Sequence, residues 1–242
     1  MRILVISDIH ANLTALEAVL ADAAPFDAVW CLGDLVGYGP DPNECIQRVR
    51  ELPGLVCLIG NHDAAVIGSI DIGSFNQEAR AAVRWTQRVL TEASEAYLRS
   101  LPEIHVAGEV TLAHGSPRQP VWEYLLDTRT ATQNFAYFST PFCFVGHSHL
   151  PVLFQMNDGW RHADLAVPEA MRCYEMTPRA IFNPGSAGQP RDRDPRAAYA
   201  IFDPDAMTWT LRRVAYEIPA VQERMLSAGL PDRHIVRLSA GW

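Results

Sequence analysis

Lysine is missing from this chain: all 20 basic side chains are arginine. A binuclear hydrolase centre bridged by a carbamylated lysine is therefore excluded. Basic charge is also in the minority, with 28 acidic side chains and a formal net charge of −8. A general nucleic-acid surface needs a basic stripe that can displace counterions, so none is expected. Nowhere does an apolar run approach the ~20 residues that span a bilayer. The opening Met-Arg-Ile-Leu-Val-Ile is too short for the core of a signal peptide, so the chain reads as soluble, free of membrane and cytoplasmic. Cysteine is scarce, with five residues and no Cys-x-x-Cys pair. Cys31, Cys57 and Cys143 each sit inside an apolar run, as small buried hydrophobes of strands do. No disulfide framework is indicated. Low-complexity linkers and internal repeats are lacking too. With 242 residues, 48% hydrophobic and 20% charged, the composition is that of an ordinary globular protein. One domain over 1–242 is expected.

What is present begins with strands and helices in alternation. Residues 2–7 form a β-branched run fit for a buried strand. Asn12 can cap a helix to about residue 22 that places Leu13, Leu16, Val19 and Leu20 on one face. A second strand is predicted over 28–32, a helix over 42–52 with proline in its first turn, and a third strand over 55–59. This βαβαβ rhythm implies parallel strands covered by helices. Residues 74–100 predict two amphipathic helices divided near Thr91. Strands are predicted over 104–107 and 110–113, about a turn at Gly108. One helix is expected around 131–138, inside the irregular stretch 117–140. Further strands follow over 142–145, 152–156, 161–167, 180–183, 197–203 and 208–216, with turns at 157–159 and 204–205. A helix over 220–228 completes the predicted elements.

Five short segments carry the chemistry, each directly after an apolar strand, where open α/β sheets place their ligand sites. They are Asp8-Ile9-His10, Gly33-Asp34, Gly60-Asn61-His62-Asp63, His114-Gly115 and Gly146-His147-Ser148-His149. Singly, an aspartate or histidine at a strand end is more often a cap or a solvated loop residue. Jointly the pattern is harder to assign to chance, because His10, His62, His114, His147 and His149 are five of only eight histidines. His105, His162 and His234 read as surface or structural residues. Alternate residues of an extended segment point the same way, so Asp8 with His10, and His147 with His149, can face one centre. Glycine at 33, 60 and 146 lets backbone pass where a Cβ would crowd. An aspartate carboxylate can bridge two cations ~3.5–4 Å apart, the spacing of two-metal hydrolysis. Oxygen and nitrogen donors without thiolate suit two divalent ions, Mn, Fe, Co, Ni or Zn, without choosing among them.

In their order, these segments resemble the calcineurin-like metallophosphoesterase superfamily, in its small bacterial and archaeal phosphodiesterase-like branch. That family's pattern is Asp-x-His, Gly-Asp, Gly-Asn-His-Asp/Glu, a later His, and Gly-His-x-His. Asn183-Pro184-Gly185-Ser186 also resembles a segment common in small members. The resemblance implies a four-layer βαβα sandwich, two mixed β-sheets flanked by helices, with a dinuclear metal site at the strand C-terminal ends. Carried over by motif position, Asp8, His10 and His149 hold one metal, Asn61, His114 and His147 hold the other, and Asp34 bridges. His62 is not a ligand; it protonates the leaving alkoxide and steadies charge on the phosphoryl oxygens. The implied reaction is hydrolysis of a phosphodiester, or of a phosphomonoester, by a metal-activated hydroxide. His62, with a pKa near neutral, is the general acid.

One departure is informative. In protein serine/threonine phosphatases the second motif continues Gly-Asp-x-Val-Asp-Arg-Gly, and its arginine grips the phosphate. Here Gly37 and Tyr38 stand at the Asp and Arg positions, which speaks against a protein phosphatase. Arg118, after His114, and Arg191 and Arg193, after the Asn-Pro-Gly-Ser segment, are candidates for phosphate contact. Asn12 and Tyr38 follow ligand motifs and are candidates to line the cleft. A metallo-β-lactamase fold wants His-x-His-x-Asp-His, but Leu150-Pro151 follows here, and the strand pattern suits an amidohydrolase barrel poorly. A non-catalytic metallophosphoesterase-like protein-binding scaffold would have degraded motifs, whereas every position is intact. The expected partner is a small phosphate ester. Diester, monoester, cyclic nucleotide and dinucleoside polyphosphate all fit, with selection resting on the loops 117–140 and 171–178.

Overall fold

In the computed structural model, which describes residues 1–156, 159 and 161–242, the first strand already sets the layers. β1 (Ile3–Ile6) is buried along its whole length. Ile3 and Val5 pack into the cluster between two sheets, and Leu4 and Ile6 into the cluster under the helices, as the two-residue repeat of a strand requires. β2 (Ala28–Cys31) and β3 (Val56–Cys57) run parallel to it, connected through α1 (Leu13–Ala23) and α2 (Pro42–Arg50). Beyond the other edge of β1, β11 (Ala197–Asp203), β12 (Thr208–Val214) and β9 (Cys173–Glu175) add antiparallel. The second sheet is built from β4 (Ile104–Ala107), β5 (Val110–Ala113), β6 (Phe142–Phe144), β7 (Pro151–Met156), β8 (Ala163–Ala166) and β10 (Ala180–Pro184). Its order is β4-β5-β6-β10-β7-β8, with β5, β6 and β10 parallel and the rest antiparallel.

Between the sheets, Phe144 touches Trp30, Phe182, Phe202 and Trp209, with ring centroids 4.7–5.9 Å apart. The outer face of the first sheet is covered by α1, α2, α3 (Asn61–Val66), α4 (Gln77–Val89), α5 (Glu92–Arg99), α7 (Ile218–Ser227) and α8 (Asp232–Ala240). α6 (Thr128–Asn134) lies on the second sheet. The result is the expected four-layer sandwich of two mixed six-stranded sheets. Among the described residues no helix is long and apolar enough to cross a membrane. All five cysteines are free, and Cys31, Cys57 and Cys143 are buried as expected.

Most element boundaries follow local signals. Asn12 caps α1 by accepting from the Ala15 N–H, and Thr91 caps α5 through Ser94, dividing α4 from α5 where predicted. Three elements were not anticipated. α3 starts on the Gly60–Asp63 motif itself, because the Asp63 carboxylate accepts from the Gly60 N–H and caps the turn (3.0 Å). α8 is read from the sequence only through its buried pair His234 and Leu238, four residues apart. β9 has three residues, too few to show a period. α6 begins at Thr128, earlier than the predicted 131, because Asp127 caps it. The predicted turn at 157–159 falls on residues outside those described. The loop 171–178 does not flank the site. β9 pairs Cys173–Glu175 with Thr210–Thr208, the end of β12 farthest from Val214, which lies level with Ala197 at the motif-bearing rim.

The inter-sheet packing is testable. Phe144→Ala, at a residue with no exposed surface, is expected to cost about 3–5 kcal/mol, read as a lowered urea midpoint with unchanged slope.

Candidate metal centre

The five predicted segments leave the C-terminal ends of β1, β2, β3, β5 and β6, and the parallel course of these strands brings them to one rim. Asp8, His10 and His149 form one group of donor atoms, and Asp34, His114 and His147 a second, each with all donors within 4.8 Å of one another. Asn61 joins the second group, with Oδ1 3.2 Å from His114 Nε2. All seven side chains are buried.

Their inward atoms are acceptors. Asp8 Oδ1 lies 3.3 Å from His149 Nε2 and 3.8 Å from His10 Nε2. Asp34 Oδ2 lies 3.6 Å from His10 Nε2 and 3.4 Å from His114 Nε2, so it reaches both groups. Neither oxygen has a hydrogen-bond partner among the described residues. The outward atoms, by contrast, are all held. The His147 N–H donates to Asp8 Oδ2 (3.0 Å), and the His62 N–H to Asp34 Oδ1 (2.8 Å). His10 Nδ1 faces Val36 O (3.0 Å), His114 Nδ1 Leu32 O (2.9 Å), His149 Nδ1 Gln189 O (2.6 Å) and His147 Nε2 Trp122 O (3.1 Å). A carbonyl only accepts, so each ring turns its N–H outward and, when neutral, a lone pair inward. His10 Nε2 and His149 Nε2 then face each other at 3.0 Å. Buried carboxylate oxygens and facing lone pairs fit cations, and the donor set suits a divalent transition metal.

Titration reflects the same crowding. Burial, reinforced by Asp34, lifts the Asp8 carboxyl to about 7. Burial lowers His10 and His147 to about 3 and drives His149 well below its ordinary value. At His114 burial is outweighed by the adjacent Asp34 carboxylate, which raises it to about 9. His62 lies outside both groups, its ring 5.0 Å from those of His10 and Phe75 and 4.3 Å from that of Tyr38. Burial holds its pKa well below the ordinary histidine value. The expected near-neutral pKa is thus corrected: in the cation-free protein the ring is uncharged at pH 7.

The backbone also departs from expectation. Asp8 with His10, and His147 with His149, do not project alternately from extended segments. All four are left-handed, with φ of 55°, 48°, 64° and 59°, and Asp34 joins them at 55°. Such values are uncommon outside glycine and concentrate at functional sites. Close approach is real at all three expected glycines: a Cβ on Gly33 would meet the Gly60 backbone N at 2.8 Å, one on Gly60 would overlap Asp34, and one on Gly146 would overlap Ser7 Oγ. Behind them runs the Asn183–Gln189 strap, which reaches both motif loops. Asn183 Nδ2 donates to Gly146 O (2.7 Å), Ser186 Oγ to Asp8 O (2.8 Å), and the Gly188 N–H to Asp8 O (3.0 Å).

Outside the seven donors the outcomes divide. Asn12 is a helix cap and also donates to Gly188 O. Tyr38 lies at the site, 4.6 Å from the His10 ring. Arg191 donates to the Tyr38 hydroxyl (3.5 Å). Arg118 is turned away, paired with Glu123 and Gln133, and exposed Arg193 is tied by its backbone to Gly241 O. Trp122 and Tyr124 were not singled out, yet Tyr124 stacks on His147 at 3.8 Å and Trp122 packs on Phe75 at 5.4 Å. His234, expected as surface or structural, is buried and packs on Tyr38 at 4.4 Å. His105 is part-buried on β4, and His162 is exposed beside Asp164.

Comparison with known proteins follows this geometry. A family profile described as the calcineurin-like phosphoesterase superfamily domain matches residues 1–207. A metallophosphoesterase crystal structure from Sphaerobacter thermophilus is 48% identical, with a TM-score of 0.92 over 100% of this chain and 99% of that one. An uncharacterised protein of Methanocaldococcus jannaschii is 37% identical over 238 residues, 95% of this chain and 94% of that protein. A symmetrical bis(5'-nucleosyl)-tetraphosphatase from Pectobacterium carotovorum is 37% identical over 67 residues, 26% of this chain and 24% of that enzyme.

Asp8 and His114 set how cations stabilise the fold. With a folded value near 7 against an ordinary 3.8, Asp8 contributes stability that is full below about 4 and lost as pH rises through 7. His114, raised from 6.5 to about 9, contributes stability that is full below 6.5 and lost through 9. A bound cation must displace both protons. The rise in melting temperature on adding manganese to chelator-treated protein should therefore grow from pH 5 to pH 8. Equal rises at both pH values would count against a cation at these two residues.

Proposed function

Because the chain belongs to the calcineurin-like phosphoesterase superfamily, we propose that it hydrolyses phosphodiesters, or phosphomonoesters, at a dinuclear centre. In this reading Asp8, His10 and His149 hold one divalent cation, Asn61, His114 and His147 hold the second, and Asp34 joins them. The observation that carries it is the Asp34 Oδ2 atom, buried without a protein partner and within 3.6 Å of imidazole nitrogens from both groups. Bound there, a cation pair supplies Lewis-acid stabilisation of phosphoryl charge and lowers the pKa of water toward ~7.

The chain's own groups do the rest. The backbone carbonyls of Val36, Leu32, Gln189 and Trp122 fix the tautomer of each liganding ring. The Asp8 and Asp34 carboxylates are oriented by the His147 and His62 N–H groups. His62 donates a proton to the leaving oxygen. Burial disfavours the imidazolium in the free site, so in this reading His62 takes up the proton it later donates when an anionic substrate enters and favours the charged ring. We read 1–242 as one domain, since His234, beyond the matched residues, packs on Tyr38. Five free thiols suit a reducing, cytoplasmic setting. The partial likeness to symmetrical bis(5'-nucleosyl)-tetraphosphatases adds dinucleoside polyphosphates to the substrates to be assayed.

Turnover of bis(p-nitrophenyl) phosphate with added manganese, abolished by chelator, is the expected result. Full cation occupancy with no turnover of any phosphate ester would instead favour a non-catalytic scaffold. His62→Ala should retain both cations yet lose roughly 10²–10⁴-fold in rate, and lose more with an alkyl leaving group than with nitrophenolate. Equal losses on both substrates would remove His62 from the acid role. Asp34→Ala should empty or scramble the centre in elemental analysis, and full occupancy there would contradict the bridge.

A further inference from the structure

Resting on the dinuclear reading, we propose that Arg191 forms a phosphate-binding subsite beside the centre, gripping a non-bridging oxygen of the substrate's phosphoryl group. The guanidinium is tethered to the donor set. The Arg191 backbone N–H donates to His149 O (3.4 Å), and its Nη2 donates to Gln189 Oε1 (3.1 Å) and Tyr38 OH (3.5 Å). Tyr38 is itself a fixed support. Its ring is wedged between His62 at 4.3 Å and His234 at 4.4 Å, and touches His10 at 4.6 Å. The guanidinium carbon lies 5.8 Å from the Tyr38 ring centroid.

Two features say what this cation is waiting for. Arg48, Arg99, Arg118, Arg172, Arg196, Arg213, Arg224 and Arg233 each lie beside a carboxylate. Arg191, like Arg2 and Arg237, forms no ion pair with a carboxylate among the described residues and has a buried Nε without a hydrogen-bond partner; what sets it apart is its tether to His149 and Tyr38 at the donor set. A half-buried guanidinium with donors unused is completed by an anion. Cations at the neighbouring donors would repel it. An anion lying between them converts that repulsion into two attractions, and a phosphoryl group offers oxygens to both sides. Of the other two candidates, Arg118 is spent on Glu123 and Arg193 is exposed and held by its backbone at Gly241.

The test uses inorganic phosphate as the probe, binding to manganese-loaded protein by calorimetry, with metal content read separately by elemental analysis. Arg191→Met should weaken phosphate binding about ten- to hundredfold at unchanged metal content, while Arg193→Met leaves it as in the parent protein. Metal-replete Arg191→Met that binds phosphate as tightly as the parent overturns the subsite. Should that variant not fold, Arg191→Lys is read instead: it keeps the charge but loses the planar fork, so a severalfold weakening supports the subsite and no change overturns it. Parent protein that takes up no manganese refutes the dinuclear reading, an outcome distinct from either.

Discussion

The centre is a place where acceptors face acceptors. Asp8 Oδ1, Asp34 Oδ2 and the inward nitrogens of His10 and His149 crowd together out of water, and neither carboxylate oxygen has a hydrogen-bond partner among the described residues. Burial of such groups is costly unless positive charge enters. The cation-free fold meets this demand with protons: Asp8 keeps its own to about pH 7, and His114 stays protonated against Asp34 to about pH 9. The same positions that hold protons are the ones a divalent cation would take. A proton and a divalent cation would therefore compete for one set of lone pairs.

Holding acceptors at such distances requires a scaffold that does not relax. Five of the seven donor residues sit on left-handed backbone, a conformation worth about 1–3 kcal/mol of strain at each non-glycine position. The strain is localised at strand ends, where the ladders of β1, β2, β5 and β6 anchor one side of every kink. The Asn183–Gln189 strap anchors the other, tying Gly146 O and Asp8 O from behind. At Gly33, Gly60 and Gly146 neighbouring backbone or side-chain atoms come too close for a Cβ. Precision here comes from backbone hydrogen bonds, which is why the orienting partners of the imidazoles are nearly all carbonyls.

That fact also explains what could be read in the sequence. The donors were legible because chemistry restricts them to Asp, Asn and His, and because each follows an apolar run that announces a strand. The partners that fix their tautomers are Val36, Leu32, Gln189 and Trp122 acting through main-chain oxygens, and a carbonyl leaves no trace in side-chain identity. Left-handed backbone at Asp8 and His10 was equally invisible, since the period of two that suggested convergence belongs to an extended segment. α3 escaped because its first turn is the motif itself, capped by Asp63. The loop 171–178 looked like a rim loop in one dimension. Only the register of β9 on β12 shows that it lies at the opposite end of the sheet.

The division between strand ends and loops separates two kinds of conservatism in this architecture. The cradle for cations rests on ladders shared by any chain that folds this way, and it lies wholly within the residues matched by the family profile. The side chains around Tyr38 are less bound to the ladders. Tyr38 is braced by His234 from α8, a helix lying beyond residue 207, and Tyr124 covers His147 from a loop with little regular structure. A side chain on a loop or terminal helix can change without disturbing a ladder, so discrimination among phosphate esters is free to diverge while the metal donors stay fixed. A pattern confined to the donors is thus legible in the sequence, whereas the side chains that meet at Tyr38, His234 from α8 and Arg191 from the loop after the strap, are brought there only by the fold.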